Sequence, residues 1–147
     1  MSNTRRFHLR SLLGVAMGLA ATGAAHADDA GFKVVYHLSE GVQQASRAIG
    51  NIRNHLNAEP KTRIVVVTHG PGIDFLLDGA ENAQGQTFAG TIGELSGRGV
   101  EFRVCNNTLV SRKISADRVA MEAKVVPSGV AEVTRLQARE GFVYLKP

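Results

Sequence analysis

The apolar residues of this chain fall into two patterns, short continuous runs and longer stretches with helical spacing. Runs of β-branched and aromatic residues predict strands, because these side chains pack well on a covered sheet. The predicted strands lie at residues 33–37, 64–67, 100–104, 124–126 and 142–145. The run 64–67 is apolar at every position, which is typical of a strand buried on both sides.

Between these runs, apolar residues recur every three or four positions, which predicts helices. The longest stretch contains Val42, Ala45, Ile49, Ile52 and Leu56, and shorter helices are expected over 73–77, around residue 92, over 106–113 and from residue 128. Ser39 and Ser128 are placed to cap two of these helices. Strands that alternate with helices indicate an α/β fold with a mostly parallel five-stranded sheet, while the direction of the last strand is left open.

The first 27 residues have the layout of an export signal. Arginines at positions 5, 6 and 10 precede an apolar run over 12–21, which is shorter than the about 20 residues of a membrane-spanning helix. Ala25-His26-Ala27 then has the small residues of a cleavage site. We therefore expect cleavage before Asp28, a single mature domain over 28–147, and a periplasmic location.

The start of this segment, Thr4-Arg5-Arg6-Phe7-His8-Leu9-Arg10, resembles the twin-arginine export signal, although His8 stands where that signal has Phe. The resemblance implies that the protein crosses the bacterial inner membrane already folded. The alternative is a general export signal that happens to carry two arginines.

Charge and cysteine content narrow the possible functions. The full chain has 17 basic and 13 acidic residues, whereas the mature chain would have 14 basic and 13 acidic residues and a net charge of +1. Nucleic-acid binding thereby loses its main support, and no membrane contact is expected after the signal is removed. Cys105 is the single cysteine, so an internal disulfide is excluded, and no paired Cys/His spacing indicates a zinc site.

Three chemically active side chains follow the ends of predicted strands. His37 ends the first strand, His69 follows the second, and Cys105 ends the third. Ligands of parallel sheets bind beyond the carboxyl ends of the strands, so these residues are candidates for one site. Cys105 also precedes a predicted helix, whose unpaired N–H groups and dipole favour a thiolate.

The segment after His69 is rich in glycine. Gly70 and Gly72 leave the surroundings of His69 open to a ligand, and the N–H groups of Gly72 and Ile73 are candidates for binding an anion. The sequence is not a dinucleotide-binding fingerprint, and it is only a weak phosphate-binding signal.

Each candidate also has a purely structural interpretation. Free cysteines are commonly buried and inert, so Cys105 is also explained as a packing residue. His37 is equally explained by a hydrogen bond to a backbone carbonyl. His55 lies beside polar residues and is expected on the surface, and Asp74 and Asp78 are expected to be solvated rather than to bind a metal.

The chain resembles the small DsrE/DsrF-like proteins over about residues 32–146. The resemblance is carried by KVVYHL at 33–38, VVVTHGPG at 65–72, VCNNTL at 104–109 and VVPSGVAE at 125–132. It implies a three-layer α/β/α sandwich and assembly into dimers, trimers or hexamers. It also implies that Cys105 matches the cysteine that carries sulfur as a persulfide in the sulfur-trafficking members.

These observations predict a periplasmic sulfur carrier or sulfurtransferase that needs no cofactor and no metal. Cys105 would accept sulfane sulfur and His69 would orient the substrate or donate a proton. The substrate-binding residues are expected to be His37, Gly70, Gly72, Asn106 and Asn107. The partners would be sulfur donor and acceptor proteins or small sulfur compounds.

Two other functions fit the sequence. One is a non-catalytic subunit that binds a small anion or a partner protein at the same edge and has an inert, buried Cys105. The other is a metal-binding accessory protein that uses Cys105 and one or both of His37 and His69.

Overall fold

The computed structural model describes residues 31–147 and contains one five-stranded sheet. The strands are β1 (Lys33–Leu38), β2 (Arg63–Thr68), β3 (Glu101–Cys105), β4 (Ala123–Val126) and β5 (Val143–Leu145). Their order across the sheet is β4-β3-β2-β1-β5. All neighbouring strands are parallel, so the last strand, whose direction the sequence left open, lies parallel to β1.

Four α-helices and two 3₁₀ segments connect the strands. The helices are α1 (Val42–Ala58), α2 (Ala89–Gly97), α3 (Asn106–Ser111) and α4 (Gly129–Glu140), and the 3₁₀ segments are Gly70–Leu76 and Ala116–Arg118. The helix expected over 73–77 is therefore a 3₁₀ segment, and it begins directly after His69. The other predicted elements agree with the structure within a few residues.

The sheet separates two hydrophobic clusters. The larger cluster lies on the side of α1 and α2, where Tyr36, Ile52, Val66 and Phe102 are among the buried residues. On the other side, Val133 and Leu136 of α4 pack with alternate residues of β1 and β2 and with Phe142. Helices on both faces confirm the α/β fold and explain why every residue of β2 from Ile64 to Thr68 is buried.

Two details of the helices differ from the sequence-based expectations. Ser39 does not cap α1, because the helix begins at Val42 with Gly41 at the N-cap position. The side-chain oxygen of Gln44 instead accepts hydrogen bonds from the N–H groups of Ser39 (2.9 Å) and Glu40 (2.8 Å). The spacing of Val130, Val133 and Leu136 predicts that all three share the buried face of α4, but Val130 is 58% exposed and only the other two are buried. The predicted cap of α4 is confirmed, because the hydroxyl of Ser128 accepts from the N–H of Ala131.

The export signal predicted over residues 1–27 lies outside the described residues, so it stays a prediction. Within residues 31–147, none of the helices has both the length and the apolar composition that crossing a membrane requires.

Candidate functional site

The three residues singled out at the strand ends lie on one face of the sheet. His37 is paired in register with Val67, and Val67 is paired with Arg103. Val67 belongs to the cluster beneath α4, and side chains two positions apart along a strand point to the same face. His69 and Cys105 therefore continue the face of Val67 and Arg103, and the carboxyl edge of the sheet brings all three candidates to the side of α4.

His37 lies between His69 and Tyr144. The imidazole centroids of His37 and His69 are 4.8 Å apart, and the Tyr144 hydroxyl is hydrogen-bonded to Nδ1 of His37 at 2.8 Å. The other ring nitrogen, Nε2, is buried and has no hydrogen-bond partner among the residues that the structure describes. Burial lowers the pKa of His37, and the positive charges of His69 and Lys146 lower it further.

Cys105 is covered by the first residue of α4. A β-carbon added to Gly129 would lie 3.1 Å from Cβ of His69 and 3.2 Å from Cβ of Cys105. These distances are shorter than ordinary contacts between carbon atoms, so a side chain at this position would require its neighbours to move by a few tenths of an ångström. Gly129 therefore brings its backbone N–H to the thiol and places Cys105 and His69 next to each other.

The electrostatics of the site favour the ionised form of Cys105. Burial raises the pKa of the thiol, since only 5% of the residue is exposed. Hydrogen bonds from the backbone N–H of Gly129, the hydroxyl and N–H of Thr108, and the N–H of Asn107 act in the opposite direction. Their combined effect is larger, and the pKa of Cys105 lies below its ordinary value.

Thr108 connects the thiol to the loop that follows His69. Its hydroxyl oxygen accepts a hydrogen bond from the N–H of Gly70 at 2.9 Å, which leaves the hydroxyl proton available to Cys105. Gly70 reaches this position with a φ of +54°, a conformation that glycine adopts readily. Sequence analysis did not single out Thr108 or Gly129, and the available signal was their position in the first turn of a helix.

The other predicted binding residues lie around this centre in different settings. Gly72 is buried, and a β-carbon there would lie 2.2 Å from the carbonyl oxygen of Leu38, so its visible role is close packing. Its N–H donates to the carbonyl of His69 and is not free for the anion that the sequence suggested. Asn106 and Asn107 are exposed beside Cys105, and the N–H of Asn107 also donates to the carbonyl of Pro127.

Two side chains that the sequence placed on the solvated surface have partners instead. His55 is half-buried, and its Nδ1 is hydrogen-bonded to the hydroxyl of Tyr36 at 3.1 Å. Asp74 accepts from Arg112 at 2.5 Å, which connects the 3₁₀ segment after His69 to α3.

Within residues 31–147, no three His, Cys, Asp or Glu side chains are grouped closely enough to hold a metal ion.

Comparison with models of protein families identifies the family of this chain. The model of the DsrE/DsrF-like family matches residues 15–147, which is most of the chain. The chain therefore belongs to the DsrE/DsrF-like family, as the resemblance in the sequence indicated. No curated protein matches the chain.

Two solved structures show the same fold. A protein of unknown function, MTH1491 from Methanobacterium thermoautotrophicum, is 32% identical, with a TM-score of 0.71, and the match covers 79% of this chain and 99% of that chain. The ychN protein from E. coli is 12% identical, with a TM-score of 0.66 and the same coverage, and at that identity the likeness shows the fold alone. The two structures support the fold, while membership of the DsrE/DsrF-like family suggests a sulfur-relay type of role without specifying a reaction.

Proposed function

We propose that this protein is a periplasmic sulfur carrier or sulfurtransferase that holds sulfane sulfur as a persulfide on Cys105. The observation that carries the proposal is the set of hydrogen-bond donors around the thiol, which lowers the pKa of Cys105 although the residue is buried. A thiolate is the form that attacks sulfur, so a stabilised thiolate suits a sulfur acceptor.

The proposed step transfers one sulfur atom. The Cys105 thiolate attacks the sulfane sulfur of a donor such as thiosulfate, a new S–S bond forms, and the bond between the two thiosulfate sulfurs breaks. The electron pair of that bond leaves with sulfite, and the cysteine becomes a persulfide anion. Attack by an acceptor thiolate on the outer sulfur reverses the exchange and restores Cys105. No cofactor takes part.

The neighbouring residues have distinct proposed roles. His69, next to Cys105 beneath Gly129, would orient the donor or provide a proton to the leaving group. His37, whose Nε2 has no hydrogen-bond partner within residues 31–147, and the exposed Asn106 and Asn107 would contact the donor. Gly70 would act through Thr108, whose hydroxyl it holds.

The remaining parts of the proposal concern assembly and location. We propose a homo-oligomer, a dimer, trimer or hexamer, because family membership favours one. Light scattering that gives the mass of a monomer at micromolar concentration would contradict it. The sulfur donor and acceptor are expected to be periplasmic proteins or small sulfur compounds.

The alternative function is a non-catalytic subunit that binds a small anion or a partner protein at the same edge. The burial of Cys105, which is only 5% exposed, favours this alternative, because buried cysteines are commonly inert packing residues.

Thiol titration of the native protein distinguishes the two functions. The carrier should react with iodoacetamide while folded, and the Cys105→Ser variant should not react at all. A thiol that reacts only after denaturation would support the binding subunit and contradict the carrier.

A further inference from the structure

A closed ring of alternating charges joins α4 to the sheet on the side of the candidate site. Its six members come from β2, β3 and α4. In order around the ring, Arg63 pairs with Glu101 (2.8 Å), Glu101 with Arg103 (2.6 Å), Arg103 with Glu132, Glu132 with Arg135 (2.8 Å), Arg135 with Glu140, and Glu140 with Arg63 (3.8 Å).

One pair of the ring is buried. The side chains of Arg103 and Glu132 are only 10% and 11% exposed, whereas the other members are considerably more accessible. Breaking a buried pair leaves an uncompensated charge, so this pair holds its two elements together more strictly than a surface pair would. The guanidinium groups of Arg135 and Arg103 keep the pKa of Glu132 at about 2, so the pair stays ionised at every pH at which a thiol titrates.

Both members lie close to the thiol along their own elements. Arg103 is two residues before Cys105 on β3 and points to the same face of the sheet. Glu132 is three residues after Gly129 on α4, and both residues lie on the buried side of the helix. The ion pair therefore connects β3 and α4 about one helical turn below the contact between Cys105 and Gly129.

We infer that Arg103 and Glu132 are positioning residues for Cys105, because their buried pair fixes the start of α4 where the backbone N–H of Gly129 reaches the thiolate. The inference rests on the proposed function only in taking Cys105 as the reacting group. The start of α4 packs closely against both residues, since a β-carbon added at Gly129 would lie only 3.1 Å from Cβ of His69 and 3.2 Å from Cβ of Cys105. A small displacement of α4 would therefore lengthen the hydrogen bond to the thiolate.

The other charged or titratable groups near the thiol lie outside the ring of ion pairs. His69 and His37 lie at the ends of β2 and β1, and Lys146, after β5, acts on His37 while it pairs with Glu40 at 2.8 Å. From α3, the thiol receives the hydroxyl of Thr108, and the charged Arg112 at the end of this helix is paired with Asp74. None of these groups belongs to the ring.

The direction in which Glu132→Gln changes the alkylation rate of Cys105 distinguishes a positioning role from a direct electrostatic effect. In Glu132→Gln, the loss of a nearby negative charge would by itself stabilise a thiolate and speed its alkylation at neutral pH. If the pair acts by position, the same variant displaces Gly129, disfavours the thiolate and slows the reaction. The two mechanisms therefore predict opposite changes in one measurement.

The test is the rate of iodoacetamide labelling against pH on the folded protein. For Glu132→Gln we expect labelling at pH 6.5 to fall about fivefold, with the alkaline plateau unchanged, since a pKa rise of one unit corresponds to about tenfold less thiolate. Arg103→Lys keeps the charge but has a single ammonium group in place of the guanidinium that contacts both Glu101 and Glu132, so we expect a smaller loss in the same direction.

Two controls identify effects of stability alone. Glu94→Gln removes the partner of Arg53 in an exposed pair on the opposite side of the sheet, and Leu136→Val creates a small cavity beneath α4 without touching a charge. Both should leave the pH profile of Cys105 in place, even where the unfolding midpoint in urea falls.

An unchanged profile in folded Glu132→Gln and Arg103→Lys, or faster labelling, would overturn the inference. Its failure is distinguishable from failure of the proposed function. If Cys105 takes up sulfur but the profile does not move, the carrier stands and the positioning role is wrong. If the profile moves but no sulfur is taken up, the positioning role stands and the carrier is wrong.

Discussion

The imidazole rings of His37 and His69 lie 4.8 Å apart at the carboxyl edge of the sheet, with planes 33° from parallel. A positive charge on His69 this close to His37 disfavours protonation of the His37 imidazole. The hydroxyl of Tyr144 holds one nitrogen of His37 and leaves the buried Nε2 without a partner among residues 31–147. His37 is thus a pH-sensitive group at the same edge of the sheet as the thiol.

The lowered pKa of His37 predicts a pH-dependent loss of stability. The pKa of His37 in the folded protein is lowered from its ordinary 6.5, by burial first and then by the charges of His69 and Lys146. As the pH falls below 6.5, the imidazole of His37 takes up a proton more readily in the unfolded chain than in the folded chain, so the free energy of unfolding decreases. In His37→Gln this part of the decrease should disappear. Urea unfolding at about pH 7 and about pH 5 measures it, and equal pH dependence in the two proteins would contradict the assignment.

A second prediction concerns the hydroxyl of Thr108. Thr108→Val keeps the shape of the side chain but removes the hydrogen bond that helps to lower the pKa of Cys105. Labelling of the thiol near neutral pH should then slow by about three- to tenfold, because a rise of one pKa unit corresponds to tenfold less thiolate. Thr108→Ser retains the hydroxyl and is the matched control, so it should label close to the original rate. Equal rates for the valine and serine variants would show that the hydroxyl does not support the thiolate.

A third prediction follows from the close approach at Gly129. In Gly129→Ala the added methyl group meets Cys105, His69 and the carbonyl oxygen of Thr68, each at 3.1 or 3.2 Å. We expect a loss of about 1–3 kcal/mol in the free energy of unfolding, as for other overpacked sites, together with slower thiol labelling.

Gly50→Ala is the control for the previous variant. Gly50 lies inside α1, and nothing is within 4 Å of a β-carbon added there, so the alanine should stabilise the protein by about 0.5–1 kcal/mol. Urea unfolding curves of both variants decide the matter. If Gly129→Ala is as stable as the original protein, α4 does not pack closely against Cys105 at this position.

A fourth prediction concerns export. If Ala25-His26-Ala27 is a cleavage site, the protein purified from the periplasm should begin near Asp28. N-terminal sequencing provides the measurement. A periplasmic protein that begins at Ser2 would contradict the predicted signal.

Much of the fold could be predicted from the sequence because its signals are local. Continuous apolar runs indicate buried strands, and the spacing from Val42 to Leu56 indicates a helix, whatever the rest of the chain does. Cys105 and His69 could also be predicted to share an edge, because the carboxyl ends of parallel strands meet there. The predicted cap at Ser39 was wrong, because the helix begins at Val42 and Gly41, not Ser39, stands at its N-cap position.

The remaining parts of the site depend on contacts between distant segments. Tyr144 reaches His37 across 107 positions of the chain, and only the placement of β5 beside β1 brings them together. The contact of Gly129 with Cys105 depends on how α4 crosses the sheet, which no spacing in the sequence specifies. The pairing of Arg103 with Glu132 also depends on the placement of α4 on the sheet. It could not be predicted from the sequence, because arginine and glutamate are mostly found on protein surfaces.

The proposed persulfide on Cys105 is tested most directly by intact mass spectrometry. The purified protein is incubated with thiosulfate and, separately, with polysulfide, and its mass is recorded before and after treatment with a reductant. The account predicts a gain of one or more sulfur atoms that the reductant removes and that Cys105→Ser does not show. An unchanged mass in a protein whose native thiol reacts with iodoacetamide, or a gain that persists in Cys105→Ser, would contradict it.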